Sequence, residues 1–476
     1  MKYAFWCRRW VTALLIALTG AIVTPARGDL RSDIDALLAQ KALTRAQVGV
    51  QVIRLGQAPT GSAVVYARNA DRPLIPASNM KLLTTSSALD ALGGDFRFRT
   101  LLYRRGDDLV IVGDGDPTFG DAELLRPHGW DVTTTFERWA ALLKARGIRS
   151  ISDVVIDDGA FDDVFTHPNW AAEDLHKRYG AQVAAVNLNA NCLDLYLTPG
   201  RRGTVVSYRL EPPTGYAAIS NTCVSGAKSA VWLTRKPGAN EVILRGEINA
   251  ANPAPISVTV HDPAMYFGTV LAETLRAAGI RVGGKVVRQR GAELSSAVLL
   301  AAHETPIEVV IRRANKDSVN LYAEALLKRL GRAYSGQPGS WANGAEAVTA
   351  YLAAGGVGSG EFTIDDGSGL SGRNRISANA LTRVLMADFY GPNREMYLDS
   401  LAVGGTDGTL DKRFRNGLRG RVYAKTGYIS GVRALSGYLR ARGGNWYAFS
   451  ILMNGPLTGE ARQIADRIVE AVDKHD

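Results

Sequence analysis

Three short motifs bring together side chains able to carry out acyl transfer. Ser78-Asn79-Met80-Lys81 sets a hydroxyl three residues before an amine, at the head of a segment with helical apolar spacing. Residues i and i+3 share a helix face, so the Lys81 amine can approach the Ser78 hydroxyl. A serine hydroxyl is a weak nucleophile until a base takes its proton. A lysine can be that base if burial or a second cation lowers its pKa. The helix start also leaves the Ser78 amide free to face a developing oxyanion. Ser318-Val319-Asn320 adds a hydroxyl and an amide, and Lys425-Thr426-Gly427 adds the second cation and another hydroxyl. Each motif alone also has a plain structural reading, with Ser78 as a helix cap and Lys425 as an exposed strand residue. A second S-x-x-K, Ser225 to Lys228, has Gly226 in its first turn and lies among strand-like segments, so it reads as chance. Ser377-Ala378-Asn379 opens a helix and reads as an N-cap.

Apolar periodicity outlines the elements that must position these groups. Helices are expected over 31–42, 80–92, 136–146, 263–278, 344–354, 378–390 and 459–472, with two more around Ser318 between 305 and 331. Strands are expected at 48–55, 63–67, around 98–112, at 230–233, 242–248, 256–260, 432–440 and 446–453, and around Tyr423. Residues 150–262 are strand-rich. Helix-rich segments at both ends with a strand-rich block between them suggest one α/β domain interrupted by an insertion, with two tandem domains as the alternative. The expected division is 1–28 as a signal peptide, 29–97 plus 290–476 as the α/β domain, and 98–289 as the inserted region.

The 476 residues are 46% hydrophobic and 21% charged, which is ordinary globular composition. The first 28 residues carry Lys2, Arg8, Arg9 and Arg27, no acid, and a short apolar stretch from Trp10 to Val23. Ala26 and Gly28 are small residues suited to cleavage before Asp29. An exported, periplasmic protein is therefore expected, with membrane contact at most peripheral. Without that segment the net charge falls from +10 to about +6, and no basic run carries interleaved aromatics, so nucleic acid is disfavoured. His128, His167, His176, His261, His303 and His475 show no metal-ligand spacing, and no HExxH, GxSxG, GK[ST] or CxxC occurs. No metal is expected. Cys192 and Cys223, an even pair in an exported chain, are expected to form one disulfide worth about 3 kcal/mol.

S-x-x-K, then S-x-N, then KTG, in that order, resembles the signature of penicillin-binding proteins and serine β-lactamases. Further stretches narrow the resemblance: Pro76 to Thr84, Gly113-Asp114-Gly115-Asp116-Pro117-Thr118, Ser318 to Glu324, Asp366-Gly367-Ser368-Gly369-Leu370-Ser371, and Leu435-Ser436-Gly437-Tyr438. Together they resemble the class C low-molecular-mass penicillin-binding proteins, the PBP4-type D-alanyl-D-alanine carboxypeptidase/endopeptidases of peptidase family S13. Lys81 and Ser318 lie 237 positions apart, which agrees with that family's long insertion. The resemblance implies an antiparallel sheet flanked by helices, interrupted by two smaller nested domains. It implies a serine DD-peptidase acting on D-Ala-D-Ala, and on D-Ala-meso-diaminopimelate cross-links, of peptidoglycan stem peptides. No cofactor is implied, and β-lactams would be covalent inhibitors. Ser78 would attack, Lys81 would accept its proton, and Ser318 and Asn320 would relay a proton and hold the substrate amide. Lys425 and Thr426 would attract a substrate carboxylate, and the strand edge from Gly427 would pair with an extended peptide. Two departures stand out. Tyr428 replaces the usual Ser or Thr after KTG, leaving its backbone N–H for the oxyanion. Gly372 precedes Arg373 where the family commonly has an Arg directly after DGSGLS. Asp162 and Asp163 are further candidates to meet a basic substrate amine. A serine β-lactamase and a non-catalytic wall-binding protein on the same scaffold remain the alternatives.

Overall fold

The computed structural model describes residues 29–476, so the expected signal peptide lies outside the described residues. A six-stranded antiparallel sheet runs in the order Ala402–Val403, Val422–Ile429, Val432–Arg440, Trp446–Asn454, Gln47–Leu55, Ala63–Arg68. Gln47–Leu55 pairs with Trp446–Asn454 along its full length, from Gln47 opposite Asn454 to Leu55 opposite Trp446. This pairing joins the two ends of the chain in one layer.

Side-chain alternation gives the sheet two cores. Val48, Val50 and Val52 point to one face, where Ile34, Ile464, Ile468 and Val469 of helices Leu30–Leu38 and Glu460–Lys474 cover them. Ile53, Ala434, Tyr438 and Leu452 point to the other face, against helices Met80–Leu92, Ile307–Asn315, Asn320–Ser335, Trp341–Ala354 and Ala378–Tyr390. Every residue from Met80 to Leu89 is buried. A helix buried all round must satisfy its polar side chains locally. Thr84 donates to Gly367 O at 2.7 Å, Thr85 to Lys81 O at 2.7 Å, and Ser86 shares a 2.7 Å hydrogen bond with the Tyr351 hydroxyl.

The chain leaves this layer along Arg97–Arg105 and returns along Val298–Pro306, antiparallel, with Arg97 opposite Pro306. Val298–Pro306 edges a five-stranded mixed sheet that continues through Arg97–Arg105, Asp108–Gly113 and Val154–Asp157 to Val286–Arg288. Phe119, Phe136, Trp139 and Phe267 pack under it, with ring centroids 4.8 to 6.5 Å apart. Two smaller sheets follow. One centres on Cys192–Thr198, the other on Glu241–Ile248.

The expected disulfide is not formed: Cys192 and Cys223 are free thiols, both fully buried. Cys192 opens its strand opposite Thr259 in one small sheet. Cys223 sits between two strands of the other, its carbonyl accepting from Val206 N at 2.9 Å. A bridge needs closely approached, mutually aimed Cβ atoms, and an even cysteine count carries no information about either. Burial pushes the Cys192 thiol up to about 12, which suppresses the reactive thiolate. In protein lacking residues 1–28, a disulfide-exchange reagent without reductant is expected to react slowly with the folded chain and to titrate two thiols after denaturation. Absence of thiols in the denatured chain would restore the bridge.

Candidate active site

Ser78 stands on a short 3-10 turn, Ala77–Asn79, that runs directly into the buried helix Met80–Leu92. Ala77 holds φ +46°, a left-handed conformation that disfavours a Cβ-bearing residue. The turn is held from outside. Gly369, at φ +80°, passes so close that a Cβ there would lie 1.8 Å from Ala77 O. Glycine is therefore required at 369 both by its conformation and by the approach.

The amine of Lys81 lies 3.2 Å from Ser78 Oγ, 2.7 Å from Asn320 Oδ1 and 2.9 Å from Ser368 O. It has no exposed surface. Burial lowers its pKa to about 8, against the opposing pull of the Glu324 and Asp366 carboxylates. The amine of Lys425 donates to Ser318 Oγ and to Thr426 O, both at 2.9 Å. Burial, and then the cationic charge of Lys81, hold Lys425 well below its ordinary value, while Asp317 opposes them. Two buried amines thus share one small site, and the charge on Lys81 makes the Lys425 proton easier to lose.

Ser318 has φ +61° in the link between helices Ile307–Asn315 and Asn320–Ser335. That turn sends its hydroxyl to Lys425 while Asn320 faces Lys81. Lys316 anchors the link through Asp407 at 2.7 Å. The inserted region contributes a wall: Asn320 Nδ2 donates to Tyr179 O at 2.8 Å. It also clamps the helix pair, because buried Asp121 accepts from Arg313 at 2.8 Å and from the Tyr322 hydroxyl.

The structure therefore brings Ser78, Lys81, Ser318, Asn320 and Lys425 into one cluster. Thr426 and Gly427 lie on the same strand as Lys425. The Thr426 hydroxyl donates to Thr409 Oγ1 at 3.0 Å. A Cβ at Gly427 would lie 2.7 Å from Pro76 O, so glycine lets the strand pass the Ser78 turn. Tyr428 is 67% exposed and turns outward with Thr426, on the strand face opposite Lys425. Arg373 is exposed on the loop beyond Ser371 and joins none of these contacts. Asp162 and Asp163 are taken up inside the chain, Asp162 by Lys328 at 2.7 Å and Asp163 by Arg288 at 2.9 Å and Arg290 at 2.6 Å. Ser225, of the second S-x-x-K, accepts from Gly200 N at 2.8 Å far along the inserted region. Ser377 caps its helix by accepting from Ala380 N at 2.8 Å.

Sequence reasoning missed the layer beneath the amines. Glu324 is fully buried and accepts from Ser368 N at 2.7 Å, Gly367 N at 3.0 Å and Trp341 Nε1 at 2.8 Å. Burial and neighbouring Asp366 raise it to about 7. Asp366 in turn accepts from Trp170 Nε1 at 2.9 Å and from Gly369 N at 2.7 Å. These two acids shape the loop whose Ser368 carbonyl holds Lys81. One signal was available: Glu324 follows Asn320 by four residues, on the same helix face. Asn79 was also missed. With its amide nitrogen toward Lys425 O (2.9 Å) and its oxygen toward Ser436 Oγ (2.7 Å), it ties the Ser78 turn to the strand pair.

Comparison with known proteins gives the family and the fold. The D-Ala-D-Ala carboxypeptidase 3 (S13) family matches residues 30–475. A D-alanyl-D-alanine carboxypeptidase of Actinomadura sp. (strain R39) is 33% identical, over 94% of this chain and 86% of its own length. The D-alanyl-D-alanine carboxypeptidase DacB of Haemophilus influenzae is 25% identical, over 89% of this chain and 88% of its own. The crystal structure of penicillin binding protein 4 from Haemophilus influenzae has the same fold, with a TM-score of 0.76 and 23% identity, covering 93% of this chain and 98% of that one. Near-complete coverage by the family, together with the 33% identical relative, establishes that the chain belongs to the D-Ala-D-Ala carboxypeptidase 3 (S13) peptidases.

Proposed function

We propose that the protein is a serine DD-peptidase that opens the D-Ala-D-Ala bond of peptidoglycan stem peptides through an acyl-Ser78 intermediate. The observation that carries this reading is the buried Lys81 amine, 3.2 Å from Ser78 Oγ with its pKa lowered to about 8. A base with a pKa near the working pH is well matched to proton transfer. In the proposed step Lys81 takes the Ser78 proton as Oγ attacks the carbonyl of the penultimate D-Ala. The Ser78 and Tyr428 N–H groups receive the oxyanion. The C–N bond then breaks, the departing D-Ala amine takes a proton through Ser318, and water hydrolyses the ester. Lys425 and Thr426 hold the leaving carboxylate. Cleavage of D-Ala-meso-diaminopimelate cross-links would follow the same steps with a larger amine leaving.

The same reading places the protein outside the cytoplasm, with residues 1–28 as a cleaved signal peptide. Among the described residues no helix is long and apolar enough to cross a membrane. It also divides the chain into a peptidase domain, 29–97 plus 290–476, and an inserted region, 98–289. The pairing of Val298–Pro306 with Arg97–Arg105 favours moving the return point to Pro306.

The test is to mix purified protein with benzylpenicillin, follow intact mass, and measure D-Ala release from a stem pentapeptide. A persistent single adduct on the peptide containing Ser78, together with D-Ala release, is expected. Rapid loss of the drug without peptide cleavage would replace this reading with a β-lactamase. Neither adduct nor release would leave a wall-binding protein.

A further inference from the structure

Tyr428 leaves the KTG strand without a short hydroxyl after Gly427, and the structure shows what occupies that side of the strand instead. Arg433 is the cross-strand partner of Tyr428 and lays its guanidinium over the tyrosine ring, 4.0 Å from the centroid. Behind the pair opens a cavity of about 470 Å³, between the strand hairpin and the first turns of helix Glu460–Lys474. Thr409, Arg413, Thr426, Tyr428, Arg433 and Arg462 are its polar lining, and small residues complete the wall. No acidic residue lines it.

The three arginines differ in what they already hold. Arg413 is taken up by a two-pronged ion pair with Asp466. Arg433 donates to the main-chain carbonyl of Val432 at 2.8 Å, which leaves its charge unmatched. Arg462 is exposed. Among the described residues, neither Arg433 nor Arg462 has a carboxylate within ion-pair distance. The cavity is thus a net-cationic recess that begins at Thr426, the hydroxyl proposed to hold the leaving carboxylate. Stacking on Tyr428 pre-orients the Arg433 fork, which reduces the ordering cost of binding a planar anion.

We propose that this cavity is a leaving-group subsite for a second carboxylate, beyond the one held at Thr426. The substrates it selects are peptides whose departing amine carries an additional acidic group, as the acceptor stem of a cross-link does. This inference rests on the DD-peptidase reading above. It makes Arg433 and Arg462 specificity-determining residues, with Tyr428 as the platform that orients Arg433.

The experiment uses two substrates with the same acyl arm ending in D-Ala, one releasing D-glutamate and the other D-glutamine. The leaving groups match in size and differ in side-chain charge. The parent protein is expected to favour D-glutamate release by about tenfold in kcat/KM, the scale of one charge-assisted hydrogen bond. The difference should lie mainly in KM, because the contact is present before and during bond breaking. In the double variant Arg433→Gln, Arg462→Gln the ratio should fall to about one, and Arg433→Lys alone should retain part of it. Equal rates for the two substrates in the parent, or a preference that survives the double variant, would overturn the subsite. Failure of the parent to release D-Ala from the stem pentapeptide would instead overturn the DD-peptidase reading.

Discussion

The Ser78→Ala variant is expected to fold normally, to form no benzylpenicillin adduct and to lose D-Ala release by a factor of about 10⁴ or more, the scale seen when a nucleophile is removed from a catalytic unit. The loss is large because no neighbouring hydroxyl can replace it. Ser318 Oγ is engaged by Lys425, and Thr426 is turned toward Thr409. The fold should be insensitive because Ser78 is only half-buried and the amine it faces keeps two other partners, Asn320 Oδ1 and Ser368 O. Removing one hydroxyl at such a site changes stability by about 0.5 kcal/mol. Intact mass after exposure to drug, D-Ala release and a thermal melt give the three readouts. A variant that melts like the parent yet still carries the adduct would move the nucleophile away from Ser78.

The second large effect is Lys81→Met, which keeps the length of the side chain and removes its base. Acylation is expected to fall by about 10²–10⁴-fold, the range for a positioned general base. In the parent, the free amine is the active form. With the pKa at about 8, acylation should rise about tenfold per pH unit below pH 8 and flatten above it. The residual rate of Lys81→Met should lack that limb. An unchanged pH profile in the variant would assign the base elsewhere. Stability should move the other way. Lys81 is fully buried and its folded pKa lies below the ordinary 10.5. Holding the cation in the fold therefore costs about 3 kcal/mol below pH 8, and the cost disappears as pH rises toward 10.5. Part of any gain is lost with the hydrogen bonds to Asn320 and Ser368. The variant should still match or exceed the parent's melting temperature at pH 7, with the difference shrinking at alkaline pH. A large loss of stability at pH 7 would mean that Lys81 is primarily a structural cation.

The elements with a clear apolar pattern were legible. The strands Gln47–Leu55, Val432–Arg440 and Trp446–Asn454 and the helix Ala378–Tyr390 lie within a residue or so of the expected spans. The strands are buried on both faces, so they read as nearly continuous apolar, β-branched and aromatic runs bounded by turn residues, and the helix repeats its apolar residues at helical spacing. The helix Met80–Leu92 was legible from its helical apolar spacing, although the structure buries it on every side. The free thiols were misread because export and even count constrain chemistry and say nothing of geometry. Asp162 and Asp163 were offered to substrate because their partners, Lys328, Arg288 and Arg290, lie more than a hundred residues away.

Three motifs in order, with the long spacing from Lys81 to Ser318, were enough to name the family and to nominate the groups that the fold brings together. Those features are local or ordinal, so they survive in a linear string. What the tertiary structure alone decided is the state of those groups. Lys81 gives up its proton more readily than an ordinary lysine because the surrounding helices, sheet and Gly367–Ser371 loop bury it together. Glu324 and Asp366 lie beneath that loop. The Tyr179 carbonyl arrives from the inserted region to hold Asn320. The basic recess beside Tyr428 exists because Arg413, Arg433 and Arg462 converge from a turn, a strand and a helix. Desolvation and charge proximity are sums over neighbours in space, and folding brings those neighbours from distant parts of the chain.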